Sequence, residues 1–335
     1  MKKRNLAIGI GGAAAAAIAV KMLTRAKSIV WEDVADRVIH SENSHFVEVD
    51  GTTIHYQEFG SAADPKILLI HGYTASAYVW HMTAPALAAN GFHVIAPDLT
   101  GFGYSGKPAW FDYSIASQAR MTARLMNRLG IGRATVVGSS YGGAVAATLA
   151  LDYPERVEKL VLVDAVCNDD LKNHPILRLA AIPGVGEVIT PFLADSRFYM
   201  RMRMKNTLAP ANHDLIDDER IENVSRPLSA ADAHHALLAT SRNWLATRIE
   251  RDAGLIGQPT LIVWGEQDKL IPVTDGHKLH DSILNSRFVV IKNCGHVPQE
   301  EKSELFTELV TEFCRDRKGR IGPHDEREML VEPAG

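Results

Sequence analysis

One short turn rich in glycine and serine joins an apolar run to an alanine-rich run. It reads V-V-G-S-S-Y-G-G over residues 136–143. The apolar residues before it predict a buried strand, and the residues after it predict a helix. Gly138 and Gly142 leave room for neighbouring backbone to approach closely in a sharp turn. A serine at the centre of G-x-S-x-G in this context is held at the tip of the strand, so we predict Ser140 as a nucleophile.

A serine hydroxyl is a weak nucleophile and needs a neighbouring base. Among the 14 histidines, His296 in N-C-G-H follows the last predicted strand and precedes a predicted helix. The chain order serine, acid, histidine then predicts an acid after the preceding strand, in the segment W-G-E-Q-D. We predict that Asp268 is this acid. Glu266 and Asp164, which follows an earlier strand, are the alternatives.

Acyl transfer also needs backbone N–H groups that bind the negatively charged oxygen of the intermediate. We predict that one comes from Tyr141, directly after the serine. The segment I-H-G-Y, residues 70–73, predicts the other at the amide of Tyr73. His71 in the same segment is expected to stabilise the loop by hydrogen bonding.

Strand-like and helix-like stretches alternate from residue 45 onward, which predicts an α/β fold with a mostly parallel sheet. Asp50-Gly51 between two alternating runs predicts a hairpin at one edge. Eight strands are predicted, at residues 45–49, 53–56, 67–70, 93–96, 134–137, 160–163, 261–264 and 288–291.

Nearly a hundred residues between the strands ending at 163 and beginning at 261 contain no convincing strand. A loop of that length is improbable unless it has structure of its own. We predict a helical cap at residues 167–254, inserted into a core formed by residues 45–166 and 255–316. The charged tail, residues 317–335, is predicted to be flexible.

The first 27 residues differ from the rest of the chain. Basic residues at positions 2–4 precede an apolar run over residues 6–20, which is the layout of an export signal or a signal anchor. Residues 1–27 therefore predict a membrane partner and a membrane-anchored protein, with the catalytic domain on the non-cytoplasmic side. Cleavage of the segment predicts a periplasmic or secreted protein instead.

Composition excludes several other classes. The 36 basic and 40 acidic side chains give a net charge of -4, which argues against a nucleic-acid partner. Three cysteines are too few and too scattered for a disulfide framework or a zinc site. The sequence predicts no metal and no cofactor.

Together these segments resemble the α/β-hydrolase superfamily. The resemblance covers about residues 45 to 316 and rests on His71-Gly72, residues 98–105, the G-x-S-x-G turn, W-G-E-Q-D and Gly295-His296. It implies the α/β-hydrolase fold, a mostly parallel eight-stranded sheet with helices on both faces and an inserted helical cap. Within the superfamily the chain is similar to membrane-anchored monoacylglycerol lipases and related bacterial lipases and esterases. Two features depart from relatives: a serine stands where haloalkane dehalogenases and epoxide hydrolases use aspartate, and Ser139 stands where many lipases carry histidine.

The leading functional prediction is hydrolysis of a small-molecule or lipid ester by a carboxylesterase or acylglycerol lipase. Ser140 attacks, His296 moves the proton, Asp268 orients His296, and water releases the acyl group. A meta-cleavage C–C bond hydrolase and a cofactor-free perhydrolase use the same triad and are the alternatives. A non-catalytic binding module on the same fold is a distant one.

Overall fold

A mixed β-sheet organises the chain. The structure is a computed structural model and describes residues 28–170, 175–316 and 329–331. Nine strands occur among the described residues, in the spatial order β1-β2-β4-β3-β5-β6-β7-β8-β9. Their bounds are Ser44–Val49 (β1), Thr52–Phe59 (β2), Lys66–Ile70 (β3), His93–Pro97 (β4), Ala134–Ser139 (β5), Val157–Val163 (β6), Thr260–Gly265 (β7), Ser286–Ile291 (β8) and Met329–Val331 (β9).

The eight predicted strands are all present, as β1 to β8. β1 and β2 form an antiparallel hairpin whose turn places Asp50 and Gly51 at φ +50° and +75°. Positive φ at both turn residues is the geometry that matches the twist of a hairpin. β2 pairs antiparallel with β4, and the strands from β3 to β8 pair in parallel. The predicted mostly parallel sheet with a two-stranded antiparallel edge is confirmed.

A ninth strand, β9, was not predicted. Met329–Val331 lies parallel to β8, with Met329 opposite Val289 and Val331 opposite Ile291. These three residues fall inside the predicted flexible tail, and they pair with backbone groups that β8 would otherwise leave open at the sheet edge. The other residues of the tail lie outside the described part of the chain, so the flexibility of the tail stays a prediction.

Helices cover both faces of the sheet. Because successive side chains of a strand point to opposite faces, Leu68 and Val136 belong to one buried layer, and Ile67 and Val137 belong to the other. The helices are Thr83–Ala89 (α1), Ile115–Arg128 (α2), Tyr141–Asp152 (α3), Pro175–Ala181 (α4), Val185–Asp195 (α5), Arg197–Thr207 (α6), Asp218–Ser225 (α7), Ala231–Arg242 (α8), Thr247–Asp252 (α9), Val273–Ser282 (α10), Pro298–Glu301 (α11) and Ser303–Arg315 (α12). α2, α3 and α10 pack on the first layer, and α1 and α12 pack on the second.

The interval between β6 and β7 contains no strand among the residues that the structure describes. It contains α4 to α9, which we call the cap, together with short 3-10 turns. The bounds predicted for the cap, residues 167–254, stay a prediction. The helix predicted after His296 is divided into α11 and α12, because Lys302 between them adopts φ -138° and ψ 50°, outside the helical region.

The parallel register brings the carboxyl ends of four neighbouring strands together. Ser139 pairs with Val163, Val163 with Val263, and Gly265 with Ile291. The loops after β5, β6, β7 and β8 therefore begin at the same edge of the sheet. In open α/β sheets this edge is where ligands bind.

The membrane-anchored localisation predicted above needs correction. Among residues 28–170, 175–316 and 329–331, the structure contains no helix with the length and apolar character of a membrane span. The predicted anchor or signal peptide, residues 1–27, lies outside the described residues. The described residues therefore support neither the anchored localisation nor the membrane partner.

Candidate active site

Ser140 lies at the sharp turn between β5 and α3. Its backbone adopts φ +55° and ψ -119°, a region that residues other than glycine rarely occupy. The backbone N–H of Ser140 donates to the carbonyl of Val163, at 2.9 Å, and its own carbonyl accepts from Val166. The strained turn is thus held by β6 and the loop after it. Such strain persists only where the surroundings impose it, and it is concentrated at functional sites.

The glycines around the turn are required by close backbone contacts. A Cβ on Gly138 would lie 2.3 Å from the carbonyl oxygen of Gly142, and a Cβ on Gly142 would lie 2.3 Å from the carbonyl oxygen of Ile70. No real Cβ sits so close to backbone. The loop after β3 also approaches the serine, since a Cβ on Gly72 would lie 3.1 Å from the Cβ of Ser140. The turn therefore brings the predicted nucleophile against the loop that carries Tyr73.

Asp268 and His296 are in direct contact. His296 Nδ1 lies 2.7 Å from Asp268 Oδ2, and the Asp268 side chain is fully buried. Asp268 Oδ1 accepts the backbone N–H groups of Leu270 and Ile271, which fixes the carboxylate in its loop. An ionised Asp268 places the imidazole proton on Nδ1 and leaves Nε2 with a free lone pair, the form that a general base requires.

Ser140 and His296 lie on loops that start at the same sheet edge. Ser140 is half-buried, and no hydrogen bond to His296 is present within the described part of the chain. Catalytic hydrogen bonds are often long without substrate and tighten when it binds. The structure brings the predicted base and acid into hydrogen-bond contact and leaves the serine partly accessible at the turn. The catalytic roles of all three residues stay predictions.

The two alternative acids occupy different surroundings. Glu266 is exposed and accepts the backbone N–H of Asn293 at 3.4 Å. Asp164 is fully buried, and its carboxyl lies next to Asp268, with polar atoms of Asp164, Asp268 and His296 all within 4.8 Å of one another. Asp268 is the carboxylate that contacts the imidazole.

Burial, followed by the negative charge of Asp268, raises the pKa of Asp164 well above its ordinary value. The same three side chains, Asp164, Asp268 and His296, satisfy the spacing of a cation site. A neutral Asp164 and the hydrogen bond between Asp268 and His296 account for the cluster without a metal ion. That the protein binds no metal stays a prediction.

The predicted oxyanion-hole residues flank the serine. Tyr141 begins α3, and Tyr73 follows Gly72 in the loop after β3. Their phenol groups point elsewhere: Tyr73 donates to the carbonyl of Leu237 at 2.9 Å, and Tyr141 donates to that of Tyr113 at 3.3 Å. Burial raises the pKa of both phenols. The backbone N–H groups are therefore what these residues offer the site, and this role stays a prediction.

His71 stabilises the loop after β3, as expected. The backbone N–H of Leu99 donates to His71 Nε2 at 3.0 Å, so the ring proton lies on Nδ1 and is donated to the carbonyl of Gly72 at 2.8 Å. Burial lowers the pKa of His71, which keeps the ring neutral. His71 thus has both nitrogens engaged and holds the loop shape.

Asp98 supports the same loop and was not predicted as a functional residue. Its side chain is buried, accepts the backbone N–H of Ala77 at 2.6 Å and lies 2.7 Å from His55 Nδ1. Burial alone would raise the pKa of Asp98, but the charge and hydrogen bond of His55 outweigh it and lower the pKa. Gly103 is needed beside it, because a Cβ there would lie 2.0 Å from the carboxyl group.

Arg203 of α6 was also missed. Its Nη1 donates to Thr74 Oγ1 at 2.6 Å, and Thr74 Oγ1 donates to the carbonyl of Tyr73 at the same distance. Burial lowers the pKa of this half-buried guanidinium, although an arginine remains charged. Among the described residues, no carboxylate forms an ion pair with it. A cation without an acidic partner therefore lies beside the predicted oxyanion loop.

Glu301 fixes the loop that carries His296. Glu301 Oε1 accepts the backbone N–H of Gly295 at 2.9 Å, and Oε2 accepts that of Ala209 at 2.8 Å. The backbone N–H of His296 donates to the carbonyl of Thr207, at the end of α6. The end of the cap helix α6 and the His296 loop are thus joined by buried hydrogen bonds.

Comparisons with known proteins agree on the family and differ in the named activity. A family model described as alpha/beta hydrolase fold matches residues 65–188 and 197–303. The chain is 30% identical to the 2-hydroxy-6-oxononadienedioate/2-hydroxy-6-oxononatrienedioate hydrolase of Burkholderia vietnamiensis over 84% of this chain and 100% of that protein. Among solved structures, it is similar to the meta-cleavage product hydrolase CumD from Pseudomonas fluorescens IP01, with 26% identity and a TM-score of 0.69 over 82% of this chain and 98% of that one. It is also similar to a membrane phospholipase A described as a bacterial virulence factor, with 26% identity and a TM-score of 0.68 over 94% of this chain and 98% of that one.

Proposed function

Because the chain belongs to the alpha/beta hydrolase family, we propose that it is a serine hydrolase that cleaves a carbon–carbon bond next to a ketone, as in meta-cleavage products. The curated relatives with this activity support the proposal most, since alignment to one of them spans that protein's whole length. Ester hydrolysis, the leading prediction from the sequence, becomes the second candidate.

In the proposed reaction, Ser140 attacks the ketone carbon while His296 takes the hydroxyl proton. The N–H groups of Tyr73 and Tyr141 stabilise the negatively charged oxygen of the intermediate. Cleavage proceeds from the keto tautomer of the 2-hydroxy-dienoate, in which the enol proton has moved to the carbon next to the attacked carbonyl. The carbon–carbon bond then breaks, its electron pair is delocalised into the conjugated second carbonyl, and His296 returns the proton to the leaving carbon. Water, activated by His296, releases the acyl group as a carboxylic acid and restores Ser140. Asp268 holds the imidazole and stabilises its cation throughout.

Arg203 favours a substrate that carries a carboxylate. Its guanidinium has five N–H donors, and Thr74 accepts from only one of its nitrogens. The names of the relatives, such as 2-hydroxy-6-oxononadienedioate hydrolase, denote substrates with carboxylate groups. A carboxylate bound by Arg203 would lie beside Thr74, one residue from Tyr73. Binding there would orient the remainder of the substrate towards Ser140.

Ester hydrolysis is favoured by a different observation. The membrane phospholipase A resembles this chain over 94% of its length, which is more than the C–C hydrolase structure covers. The same serine, histidine and acid cleave esters, with an alcohol as the leaving group in place of carbon. The two candidates therefore differ in the leaving group and in the use of Arg203.

A direct comparison of substrates tests the proposal. Purified protein is assayed with a 2-hydroxy-6-oxo-dienoate, whose conjugated chromophore is lost on cleavage, and with p-nitrophenyl esters of increasing chain length. We expect a higher kcat/KM for the dienoate and no turnover of either substrate by Ser140→Ala. The matched control is Ser139→Ala, which removes the neighbouring hydroxyl that accepts from Gln299 and is expected to stay within a few fold of wild type. Turnover of esters alone would select the second candidate, and undiminished activity in Ser140→Ala would refute the nucleophile.

A further inference from the structure

A second carboxyl group is fixed beside Asp268 by the backbone of two strands. Asp164 follows β6 directly and adopts φ +42°, which is unusual for a residue other than glycine. Its N–H donates to the carbonyl of Val263 at 3.0 Å, and its Oδ1 accepts the N–H of Gly265 at 2.9 Å. These two bonds to β7 leave the side chain little freedom, and Asp164 is fully buried.

The second oxygen of this carboxyl, Oδ2, is buried and receives no hydrogen bond from any donor group in the described residues. The side chain of the neighbouring acid, Asp268, is fully buried as well, and its Oδ2 accepts from His296 Nδ1. Two carboxyl groups this close, shielded from water, cannot both carry a charge. A proton on Asp164 satisfies Oδ2 and turns the contact between the two acids into a hydrogen bond.

We propose that Asp164 is protonated at neutral pH and donates Oδ2–H to the carboxylate of Asp268, acting as a positioning residue for the acid that orients His296. This role rests on the proposed function, in which Asp268 and His296 act together. The pair then carries one negative charge, so the imidazolium formed during the reaction faces a single buried carboxylate. Burial and the charge of Asp268 raise the pKa of Asp164, which agrees with this assignment.

The charges around the pair determine how it responds to pH. From the loop after β8, His296 contacts Asp268, and the Cys294 thiol lies near both acids. Burial raises the pKa of Cys294, so it stays neutral. From α11, the carboxylate of Glu301 adds negative charge near Asp164, and Lys302, which follows α11, places a positive charge near Cys294. The added negative charge of Glu301 further disfavours ionisation of Asp164.

Infrared spectroscopy tests the proton without depending on activity. A protonated carboxylic acid has a C=O stretching band distinct from the carboxylate bands. Glu300→Gln serves as the reference protein, because burial raises the pKa of Glu300 to about 7 and its acid form would give the same band. We expect such a band in this reference at pH 7, its loss when Asp164→Asn is added, and its retention when Asp275→Asn is added. The control Asp275 is also buried, but it forms an ion pair with the ammonium of Lys278 at 3.0 Å. Absence of the band in Glu300→Gln, or its persistence after Asp164→Asn is added to that variant, would overturn the proposal.

Kinetics test the positioning role. Asp164→Asn keeps a donor towards Asp268 and tolerates a positive φ, so we expect kcat within about threefold of wild type. Asp164→Ala removes the donor, and we expect kcat to fall about tenfold with KM unchanged, the effect of losing one hydrogen bond to a charged group. An equal fall in both variants would refute the donor role. If the wild type turned over neither substrate class but kept the infrared band, the proposed function would fail while the shared proton would stand.

Discussion

Replacement of Arg203 by glutamine separates a carboxylate-binding role from a structural one. Glutamine keeps a side-chain N–H that can donate to Thr74 and removes the positive charge. The chain offers a matched control two residues earlier on α6: Arg201 is a partly exposed arginine bonded to Asp218 at 2.9 Å and to the carbonyl of Ile216. Arg201→Gln removes the same charge from the same helix, but from a side chain with partners other than Thr74.

The size of the effect follows from the bonds that are lost. Arg203 has no acidic partner among the described residues, so a substrate carboxylate would supply its counter-charge. A hydrogen bond to a charged group contributes about 1.5–3 kcal/mol. At about 1.4 kcal/mol for each factor of ten, Arg203→Gln should lower kcat/KM for a dienoate carboxylate by about 10- to 150-fold. A neutral p-nitrophenyl ester lacks the carboxylate and should change by less than about threefold on the same scale.

Steady-state kcat and KM are measured for both substrates with wild type and both variants. We expect the loss mainly in KM, because the contact is made in the ground state as well as in the transition state. An equal loss on the neutral ester would refute the reasoning, since it would mean that Arg203 acts only by holding the Thr74 loop. An equal loss in Arg201→Gln would refute it as well, because the effect would then belong to the cap helix as a whole.

Two further predictions concern stability. Gly142→Ala should destabilise the fold by about 1–3 kcal/mol or prevent folding, because its Cβ would meet backbone oxygens at 2.3 and 2.4 Å. The control Gly132→Ala, whose Cβ would have nothing within 4 Å, should unfold near the wild-type temperature. Similar melting curves for the two variants would contradict the close contact at Gly142. Burial raises the pKa of Glu300, beside Arg220, to about 7 from 4.5, so protonation of Glu300 stabilises the fold and this contribution is lost as the pH rises from 4.5 through 7. Chemical denaturation across that pH range should show a smaller fall in unfolding free energy for Glu300→Gln than for wild type. The control Glu304→Gln, at an exposed site, should follow the wild type. If the unfolding free energy of Glu300→Gln fell with pH as steeply as that of the wild type, the raised pKa of Glu300 would be refuted.

The sheet was predictable because its signals are local. Each central strand is buried on both faces, so it reads as a continuous apolar run, and the hairpin turn Asp50-Gly51 is recognisable from two residues. The predicted helix after Ser140 is present as α3, Tyr141–Asp152, and Tyr153-Pro154 follows its end. β9 could not be predicted in this way. Its three residues become a strand only because β8 offers an open edge, and that edge exists only once the sheet is assembled.

Some residues of the candidate site could likewise be predicted from the sequence, and others could not. Asp268 and His296 were predicted because the order of the chain and the parallel register place them at adjacent strand ends, and their 2.7 Å contact agrees. Asp98 and Arg203 have no comparable signal. Asp98 acts through backbone N–H groups that any residue could supply, and Arg203 is one of several basic residues on α6, distinguished only by facing Thr74.

Helix α6 of the cap contacts the loops that carry Tyr73 and His296. α6 holds the oxyanion loop through Arg203 and Thr74, and its last residue, Thr207, accepts the backbone N–H of His296. One helix therefore contacts both loops that must be in place for Ser140 to react. Since an error of about 1 Å in such positions can cost about 100-fold in rate, the cap is part of the catalytic geometry as well as a cover over it. Substitutions in α6 that disturb these two contacts should therefore lower kcat as well as raise KM, whereas exposed positions of the same helix should do neither.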